Sequence, residues 1–241
     1  MALPSAPDAR VATHMTASHR RFTRRAVLAA LLGAVPVACA SREERREPPV
    51  LVSVIAAAAP AVVAIGDART IYGSGFRLRD SAFVVTAAHV LEALGAQPPR
   101  LRWRGASYAA RVVLLDHAAD VGVLEVDGDV ATPGLALATG DPPPLGTWVI
   151  VLGCPFGADA TATTGIVSAA PGAIAYPDAL RPLMQLNAAI NPGNSGGPVL
   201  DPAGAVIGVA TAAIPGGFGL GFAVPVATVR GRLPPHPAAS R

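Results

Sequence analysis

The amino-acid sequence predicts an all-β domain, a sandwich or a barrel, preceded by a segment that directs export. The chain alternates short apolar runs with turns built largely from its 25 glycines and 24 prolines. Strands of this length at this spacing are typical of sandwiches and barrels. Roughly 200 residues follow the N-terminal segment, a length that suits one domain with a substantial core.

The predicted strands follow one another along most of the chain. Each is a run of apolar residues bounded by glycine, proline or aspartate. The clearest runs are 61–65, 82–86, 109–115, 121–126, 147–152, 183–186 and 205–212. Two short helices are predicted beside them, at 89–94 and at 226–233.

The first forty residues are predicted to be an export signal and not part of the fold. Arg24 and Arg25 fit a twin-arginine signal. The apolar run at 26–37 that follows them is too short to span a bilayer. Residues 41–50 carry a dense run of charges and are interpreted as a linker.

The end of this signal allows two interpretations. The small residues around Cys39 fit cleavage after Ala40, which would make Ser41 the mature N-terminus. Alternatively, Cys39 becomes lipidated, which would anchor the protein to a membrane. The start is also open, because Met15 would give a shorter signal than Met1.

The charge of the mature chain excludes one class of partner. From residue 41 onward there are 14 arginines and 15 acidic residues, a formal charge of about −1. This balance lacks the basic footprint of a nucleic-acid-binding protein. The two cysteines, Cys39 and Cys154, have no histidine at metal-ligand spacing, so neither a metal nor another cofactor is expected.

Residues 191–198 are the most informative stretch of the chain. They read Asn-Pro-Gly-Asn-Ser-Gly-Gly-Pro, which places Ser195 between glycines. Glycine adopts positive φ at little steric cost, so this segment can form a sharp turn. Such a turn can direct several backbone N–H groups at one point, which would create an oxyanion hole beside a serine nucleophile.

A serine nucleophile needs a base, and the base needs a third group that orients it. His89 follows a predicted strand and is the favoured base, whereas His117 is interpreted as an exposed turn residue. Asp120 directly precedes another predicted strand and is the favoured carboxylate. Asp116 is the competing carboxylate, and its alternative role is to cap a turn.

These segments together resemble trypsin-like serine peptidases, most closely the HtrA/Deg branch. The matching blocks occur in the order of that family over residues 51–233. They are residues 73–76, 86–89, 116–124, 153–157, 163–169, 188–192, 193–198 and 221–225. Cys154 and Asn187 depart from the family pattern, in which Asn and Asp are usual at these two positions.

The resemblance implies a fold of two six-stranded β-barrels with the active site in the cleft between them. It also implies a catalytic triad in which Ser195 attacks a peptide carbonyl, His89 transfers the proton and Asp120 orients His89. The N–H groups of Gly193 and Ser195 would bind the oxyanion.

Substrate preference is expected to depend on Ile190 and on the strand that follows the nucleophile. The resemblance places the primary pocket among Ile190, Ala210, Thr211, Ala212 and Ile214. No acidic residue lies at its base, and the isoleucines indicate a small apolar pocket for Val, Ile, Ala or Leu. The backbone at 210–212 is expected to pair with an extended substrate as an added strand.

The favoured function is an exported serine endopeptidase of the periplasm, cell envelope or exterior. Its partners would be polypeptides, including unfolded proteins, in envelope protein processing or quality control. A peptidase of narrow specificity outside quality control is a near alternative, and a catalytically silent binding or chaperone protein is the more distant one. The peptidase domain is expected at 51–233, followed by a tail at 234–241 and no PDZ domain. No oligomeric state is predicted.

Overall fold

The computed structural model describes residues 49–127, 132–157, 159–173, 182–213 and 219–235. The predicted export signal with Cys39, residues 41–48 of the predicted linker, Ile214 and residues 236–241 of the tail lie outside the described residues. Within the described ranges, no helix combines the length and the apolar character that crossing a bilayer requires.

The described chain forms two closed antiparallel β-barrels of six strands each. The first contains β1 (Val62–Gly66), β2 (Ile71–Arg77), β3 (Phe83–Thr86), β4 (Arg100–Trp103), β5 (Ala106–Asp116) and β6 (Val121–Val126). The second contains β7 (Trp148–Gly153), β8 (Thr161–Ala169), β9 (Met184–Leu186), β10 (Pro198–Leu200), β11 (Val206–Ala213) and β12 (Gly221–Pro225). Around each barrel the first three strands are followed by the sixth, fifth and fourth. The predicted two-barrel fold is confirmed.

Whether a strand could be predicted from the sequence depended on how continuous its run of apolar residues is. All seven predicted runs coincide with observed strands, namely β1, β3, β5, β6, β7, β9 and β11. Glycines dilute the apolar pattern of β2, and threonines dilute that of β8. The three residues of β10 are too few to show any alternation.

Alternation along the strands divides the apolar side chains among three clusters. On β1, Val63 and Ile65 belong to the core of the first barrel, whereas Val62 and Ala64 belong to a cluster between the barrels. Neighbouring side chains on a strand point to opposite faces, so one strand serves both cores. The inter-barrel cluster includes Val62, Phe76, Val85 and Val121 of the first barrel and Ile150, Leu152, Leu200 and Val224 of the second.

Three short helices accompany the barrels: α1 (Pro49–Ala58), α2 (Ala88–Glu92) and α3 (Val226–Arg230). The last two confirm the predicted helices. The first was not predicted, although Leu51, Val54, Ile55 and Ala58 follow helical spacing and pack against or within the inter-barrel cluster. Valine and alanine also occupy four of the other positions of α1, and these apolar residues obscure the helical spacing in the sequence.

Candidate active site

The first barrel brings His89 and Asp120 together at one end of two paired strands. β3 leads directly into α2, which carries His89, and Asp120 is the residue before β6. β3 and β6 pair so that Thr86 lies opposite Gly122. A Cβ atom on Gly122 would lie 2.7 Å from Leu91 Cδ1, so the absence of a side chain there allows α2 to pack against β6.

The carboxylate of Asp120 binds His89 at both its backbone and its ring. Asp120 Oδ1 accepts a hydrogen bond from the His89 backbone N–H at 3.0 Å. The ring atom His89 Nδ1 lies 3.0 Å from each carboxylate oxygen. A third donor, Thr211 Oγ1, binds Asp120 Oδ2 from the second barrel. This arrangement holds the imidazole in one orientation with Nε2 directed away from Asp120.

The same contacts change the acidity of both groups. Burial is the largest influence on Asp120 and raises its pKa, but hydrogen bonds from His89 and Thr211, with the charge of His89, outweigh it and lower the pKa below the usual value. The hydrogen bond to Asp120 is the largest influence on His89 and raises its pKa, partly opposed by burial. The charges of Asp120 and Glu92 raise it further. The His89 side chain remains 44% exposed, so its ring stays accessible to substrate.

Ser195 lies in the loop before β10, which we call the nucleophile loop (residues 191–197). Ser195 Oγ donates a hydrogen bond to the carbonyl oxygen of Thr211 at 3.2 Å. Thr211 therefore contacts two predicted triad members, through its hydroxyl to Asp120 and through its carbonyl to Ser195. Thr211 was predicted only as a substrate-binding residue, because nothing in its local pattern indicates a contact across the barrels.

Three backbone N–H groups of the nucleophile loop donate hydrogen bonds within the second barrel. Those of Asn194, Gly196 and Gly197 donate to carbonyl oxygens 2.7–2.9 Å away. The N–H groups of Gly193 and Ser195 have no hydrogen-bond partner in the described part of the chain. They are the two groups that the resemblance assigns to the oxyanion hole. Gly193 has a φ of 101°, a conformation that favours glycine.

Asp116 and His117, the alternatives to Asp120 and His89, form hydrogen bonds outside the predicted triad. Asp116 Oδ1 caps a turn by accepting the Ala119 N–H at 3.0 Å, and its other oxygen accepts from Arg232 Nε at 2.6 Å. His117 is exposed, and its Nδ1 lies 2.5 Å from Glu92 Oε1. Among the described residues, no group of three or more His, Cys, Asp or Glu side chains could hold a metal ion.

Two of the predicted specificity residues, Ile190 and Ala210, are buried in the second barrel. Ile190 is only 9% exposed and packs with the core of the second barrel. A Cβ atom on Gly221 would lie 3.0 Å from Ile190 Cδ1, so the missing side chain of Gly221 makes room beside Ile190. Gly221 was not predicted as a site residue, because its contact with Ile190 joins two segments far apart in the chain.

Ala210 is a correction to the predicted substrate contacts. It is fully buried, its N–H donates to Gly197 O at 2.9 Å, and its carbonyl accepts the Gly196 N–H at 2.7 Å. Its backbone therefore supports the nucleophile loop and is not free to pair with a substrate. In the described structure β10 pairs with β11 only as far as Val209, while β12 pairs on to Ala213. The edge that a substrate strand could join thus begins after Ala210.

Two antiparallel six-stranded barrels that carry His, Asp and Ser at their junction define the chymotrypsin-like class of proteins. A family model described as a trypsin-like peptidase domain matches residues 73–209 of this chain, a range that contains His89, Asp120 and Ser195. The match covers more than half of the sequence. The chain belongs to the trypsin-like peptidase family.

Individual relatives agree with this family. The chain is 39% identical over 156 residues to a DegP-like periplasmic serine endoprotease of Chlamydia trachomatis serovar D, covering 64% of this chain and 31% of that protein. It is 40% identical over 162 residues to the serine protease HhoB of Synechocystis, covering 66% of this chain and 38% of that protein. The chain therefore spans about a third of the length of these curated relatives.

A solved structure shows the same fold. The serine endoprotease from Yersinia pestis superposes with a TM-score of 0.62 at 28% sequence identity. The alignment covers 75% of this chain and 67% of that chain. Its agreement with the two barrels described above supports the two-barrel architecture independently of any single motif.

Proposed function

We propose that this chain is an exported serine endopeptidase whose triad is His89, Asp120 and Ser195. One observation carries this proposal: a continuous set of hydrogen bonds runs from His89 through Asp120 and Thr211 to Ser195. The set joins both barrels at the position where the family places its active site. The relatives described as serine endoproteases support the same reaction class.

The reaction begins when Ser195 Oγ bonds to the carbonyl carbon of a peptide and its proton passes to His89 Nε2. For this step the hydroxyl turns from the Thr211 carbonyl toward His89, since catalytic hydrogen bonds commonly tighten only in the substrate complex. The N–H groups of Gly193 and Ser195 bind the oxyanion that forms. Asp120 stabilises the imidazolium.

Collapse of this tetrahedral intermediate breaks the carbon–nitrogen bond. His89 gives its proton to the leaving amine, and the acyl group remains on Ser195 as an ester. Water then enters, gives a proton to His89 and attacks the ester carbonyl. His89 returns a proton to Ser195 Oγ as the acid product leaves, which restores the starting state.

The predicted pocket residues support specificity for small aliphatic residues before the cleaved bond. None of them is a carboxylate that could pair with Arg or Lys, and Ile190 lies beside Gly221, which has no side chain. The edge of β11 beyond Ala210, which β10 does not pair with, would offer backbone groups to an extended substrate. A panel of fluorogenic peptides should show cleavage after Val, Ile, Ala or Leu, and a clear preference for Arg would contradict this pocket assignment.

Polypeptides in the cell envelope are the proposed substrates, including unfolded proteins in processing or quality control. The relative from Chlamydia trachomatis is named as periplasmic, which supports this location. The twin-arginine signal predicted at residues 1–40 would deliver the chain there. Cleavage after Ala40 or lipidation of Cys39 would decide whether the protein is released or anchored.

The decisive test is labelling with a fluorophosphonate, which reacts only with an activated serine. The mature protein should become labelled and should cleave peptides, while a Ser195→Ala variant should do neither. Loss of the whole triad is expected to reduce kcat by about 10⁶. Normal peptidase activity in the Ser195→Ala variant would refute the proposed triad.

A catalytically silent binding or chaperone protein is the second candidate. It is favoured by a single observation, the hydrogen bond from Ser195 Oγ to Thr211 in place of His89. In that case neither the wild-type protein nor the Ser195→Ala variant would react with the fluorophosphonate. Both would nevertheless bind unfolded polypeptides with equal affinity.

A further inference from the structure

Ser74 is a fully buried polar residue on β2 that the reaction described above does not use. Its hydroxyl donates to the Gly193 carbonyl oxygen at 2.5 Å and accepts the Cys154 N–H at 2.7 Å. Its backbone N–H donates to the Ser195 carbonyl at 2.8 Å. One residue of the first barrel thus holds both Gly193 and Ser195 of the second.

The bond to Gly193 restrains a residue that has unusual conformational freedom. Glycine populates positive and negative φ almost equally, so the observed φ of 101° at Gly193 needs a restraint from its surroundings. The peptide group after Gly193 is held at both ends, by Ser74 Oγ at its carbonyl and by Asn191 O at the Asn194 N–H. Fixing this peptide also limits the direction of the Gly193 N–H.

The hydrogen bond from the Cys154 N–H to Ser74 restrains the segment that packs against Gly193. A Cβ atom on Gly193 would lie 2.6 Å from Pro155 Cα, so the backbones of the nucleophile loop and of the turn Pro155–Gly157 touch at this point. Ser74 Oγ binds Cys154, directly before that turn. A single hydroxyl therefore sets the spacing between two backbone segments that meet beside Gly193.

From this geometry we infer that Ser74 is a positioning residue that holds Gly193 in the conformation needed to bind the oxyanion. The inference rests on the proposed serine endopeptidase function. Ser74 does not touch the reacting atoms, and it acts through the peptide group between Gly193 and Asn194. Its loss should raise the barrier to chemistry and leave substrate binding nearly unchanged, since the substrate contacts proposed above lie at Ile190, Gly221 and the β11 edge.

The test compares Ser74→Ala with the wild type and with Ser81→Ala as a matched control. Ser81 is also a buried serine, and its hydroxyl bridges the Leu78 carbonyl and the Phe83 N–H in the turn between β2 and β3. Removal of an oxyanion-hole donor costs about 10²–10³ in kcat. Because Ser74→Ala loosens a donor without removing it, we expect kcat to fall by about 10- to 100-fold with KM changed less than about twofold.

A peptide aldehyde gives a second measurement on the same variants. Its adduct with Ser195 carries an oxyanion at the position of the transition state, so Ser74→Ala should weaken its binding by about the same factor as kcat. Ser81→Ala should lower the melting temperature but leave kcat and aldehyde binding unchanged. A purely structural role for Ser74 would lower only the melting temperature.

The outcomes separate this inference from the proposed function. Activity that survives in Ser195→Ala refutes the proposed function, whatever Ser74 does. An inactive Ser195→Ala together with a folded Ser74→Ala of wild-type kcat overturns the positioning role alone. If Ser74→Ala does not fold, Ser74→Cys replaces it, because the thiol leaves no cavity but donates only weakly. A folded Ser74→Cys with wild-type kcat then overturns the role, and a reduced kcat at unchanged KM supports it.

Discussion

At the scale of the residue, Asp120 combines a chemical and a conformational requirement. Its carboxylate accepts hydrogen bonds from His89 and Thr211, and its backbone adopts a φ of 51°. Asp and Asn enter this left-handed region more readily than other residues that have a Cβ atom. The backbone therefore restricts the choice to a few residue types, and the site selects the one that carries a negative charge.

These two requirements can be separated by substitution. Asp120→Asn should keep the fold, because Asn tolerates the same φ, while kcat falls by about 10⁴ through loss of the carboxylate. Asp120→Ala should lose activity similarly and also lower stability by about 1–2 kcal/mol of backbone strain. Peptidase kinetics and thermal unfolding of both variants would measure this. Wild-type activity in the Asn variant would contradict the role of the charge.

The raised pKa of His89 gives stability and catalysis opposite dependences on pH. Protonated His89 bound to Asp120 stabilises the fold below the unfolded pKa, about 6.5, and this contribution is lost as the pH rises through the folded pKa. The proposed mechanism needs neutral His89 as the base. The ratio kcat/KM should therefore rise with pH with a midpoint above about 6.5, as a pH profile would show.

The negative charge of Glu92 raises the pKa of His89 and therefore the midpoint of the kcat/KM profile. Glu92→Gln removes a negative charge near His89, so the midpoint of the kcat/KM profile should move to lower pH. Glu125→Gln is the matched control, because Glu125 belongs to β6 of the same barrel but pairs with Arg111. An equal shift in both variants would show that the effect is not specific to Glu92.

At the scale of the element, the nucleophile loop depends on close contact as well as on turn geometry. Gly196 has a φ of 85° and Gly146 has a φ of 83°, so both favour glycine equally. A Cβ atom on Gly196 would lie 2.2 Å from Ser74 O and from Thr86 Oγ1, whereas one on Gly146 would meet nothing within 4 Å. The two glycines therefore share a backbone requirement but differ in the space available to a Cβ atom.

Substitution of these two glycines distinguishes the cost of backbone strain from the cost of a steric clash. Gly146→Ala should cost about 1–2 kcal/mol of stability and leave peptidase activity intact. Gly196→Ala should cost more and reduce kcat by at least about 100-fold, because the clash displaces Ser195 and the oxyanion donors. Thermal unfolding and kcat would be measured side by side. Equal effects in the two variants would mean that the close contact with β2 and β3 is unimportant.

At the scale of the whole molecule, the inter-barrel cluster aligns residues that neither barrel could align alone. His89 and Asp120 belong to the first barrel, and Thr211 and Ser195 belong to the second. The buried apolar side chains between the barrels favour one close-packed arrangement, since protein interiors are packed as densely as organic crystals. Helix α1 adds Leu51, Val54 and Ile55 to this arrangement.

The contribution of α1 can be measured with neighbouring positions on the helix. Ile55→Ala should lower stability by about 1–2 kcal/mol, because Ile55 is partly buried against the inter-barrel cluster. For a domain of this size that corresponds to a fall of roughly 3–6 °C in melting temperature. Val52 is 60% exposed, so Val52→Ala should change stability by less than about 0.5 kcal/mol. Equal effects of both substitutions would exclude specific packing by Ile55.

Features that the sequence predicted are those encoded by local patterns. Strands such as β1 and β6 appear in the sequence as runs of apolar residues between turn residues. A strand spans only a few positions, so its pattern of buried residues can be seen within one short segment. Ser195 was singled out by its glycines, and His89 and Asp120 by their places beside predicted strands. The sequence by itself therefore determined the fold class and the identities of the proposed triad.

Only the tertiary structure decided which residues support that triad. Thr211 binds Asp120 across 91 positions of the chain, and Ser74 binds Gly193 across 119. Neither residue stands out locally, because a serine or threonine in a strand has the same pattern whether its hydroxyl meets solvent or a distant carbonyl. Thr211 and Ser74 form contacts between the two barrels, whereas Gly221 and Ala210 contact other segments within the second barrel. No single segment of the chain contains either kind of contact, so only the tertiary structure reveals them.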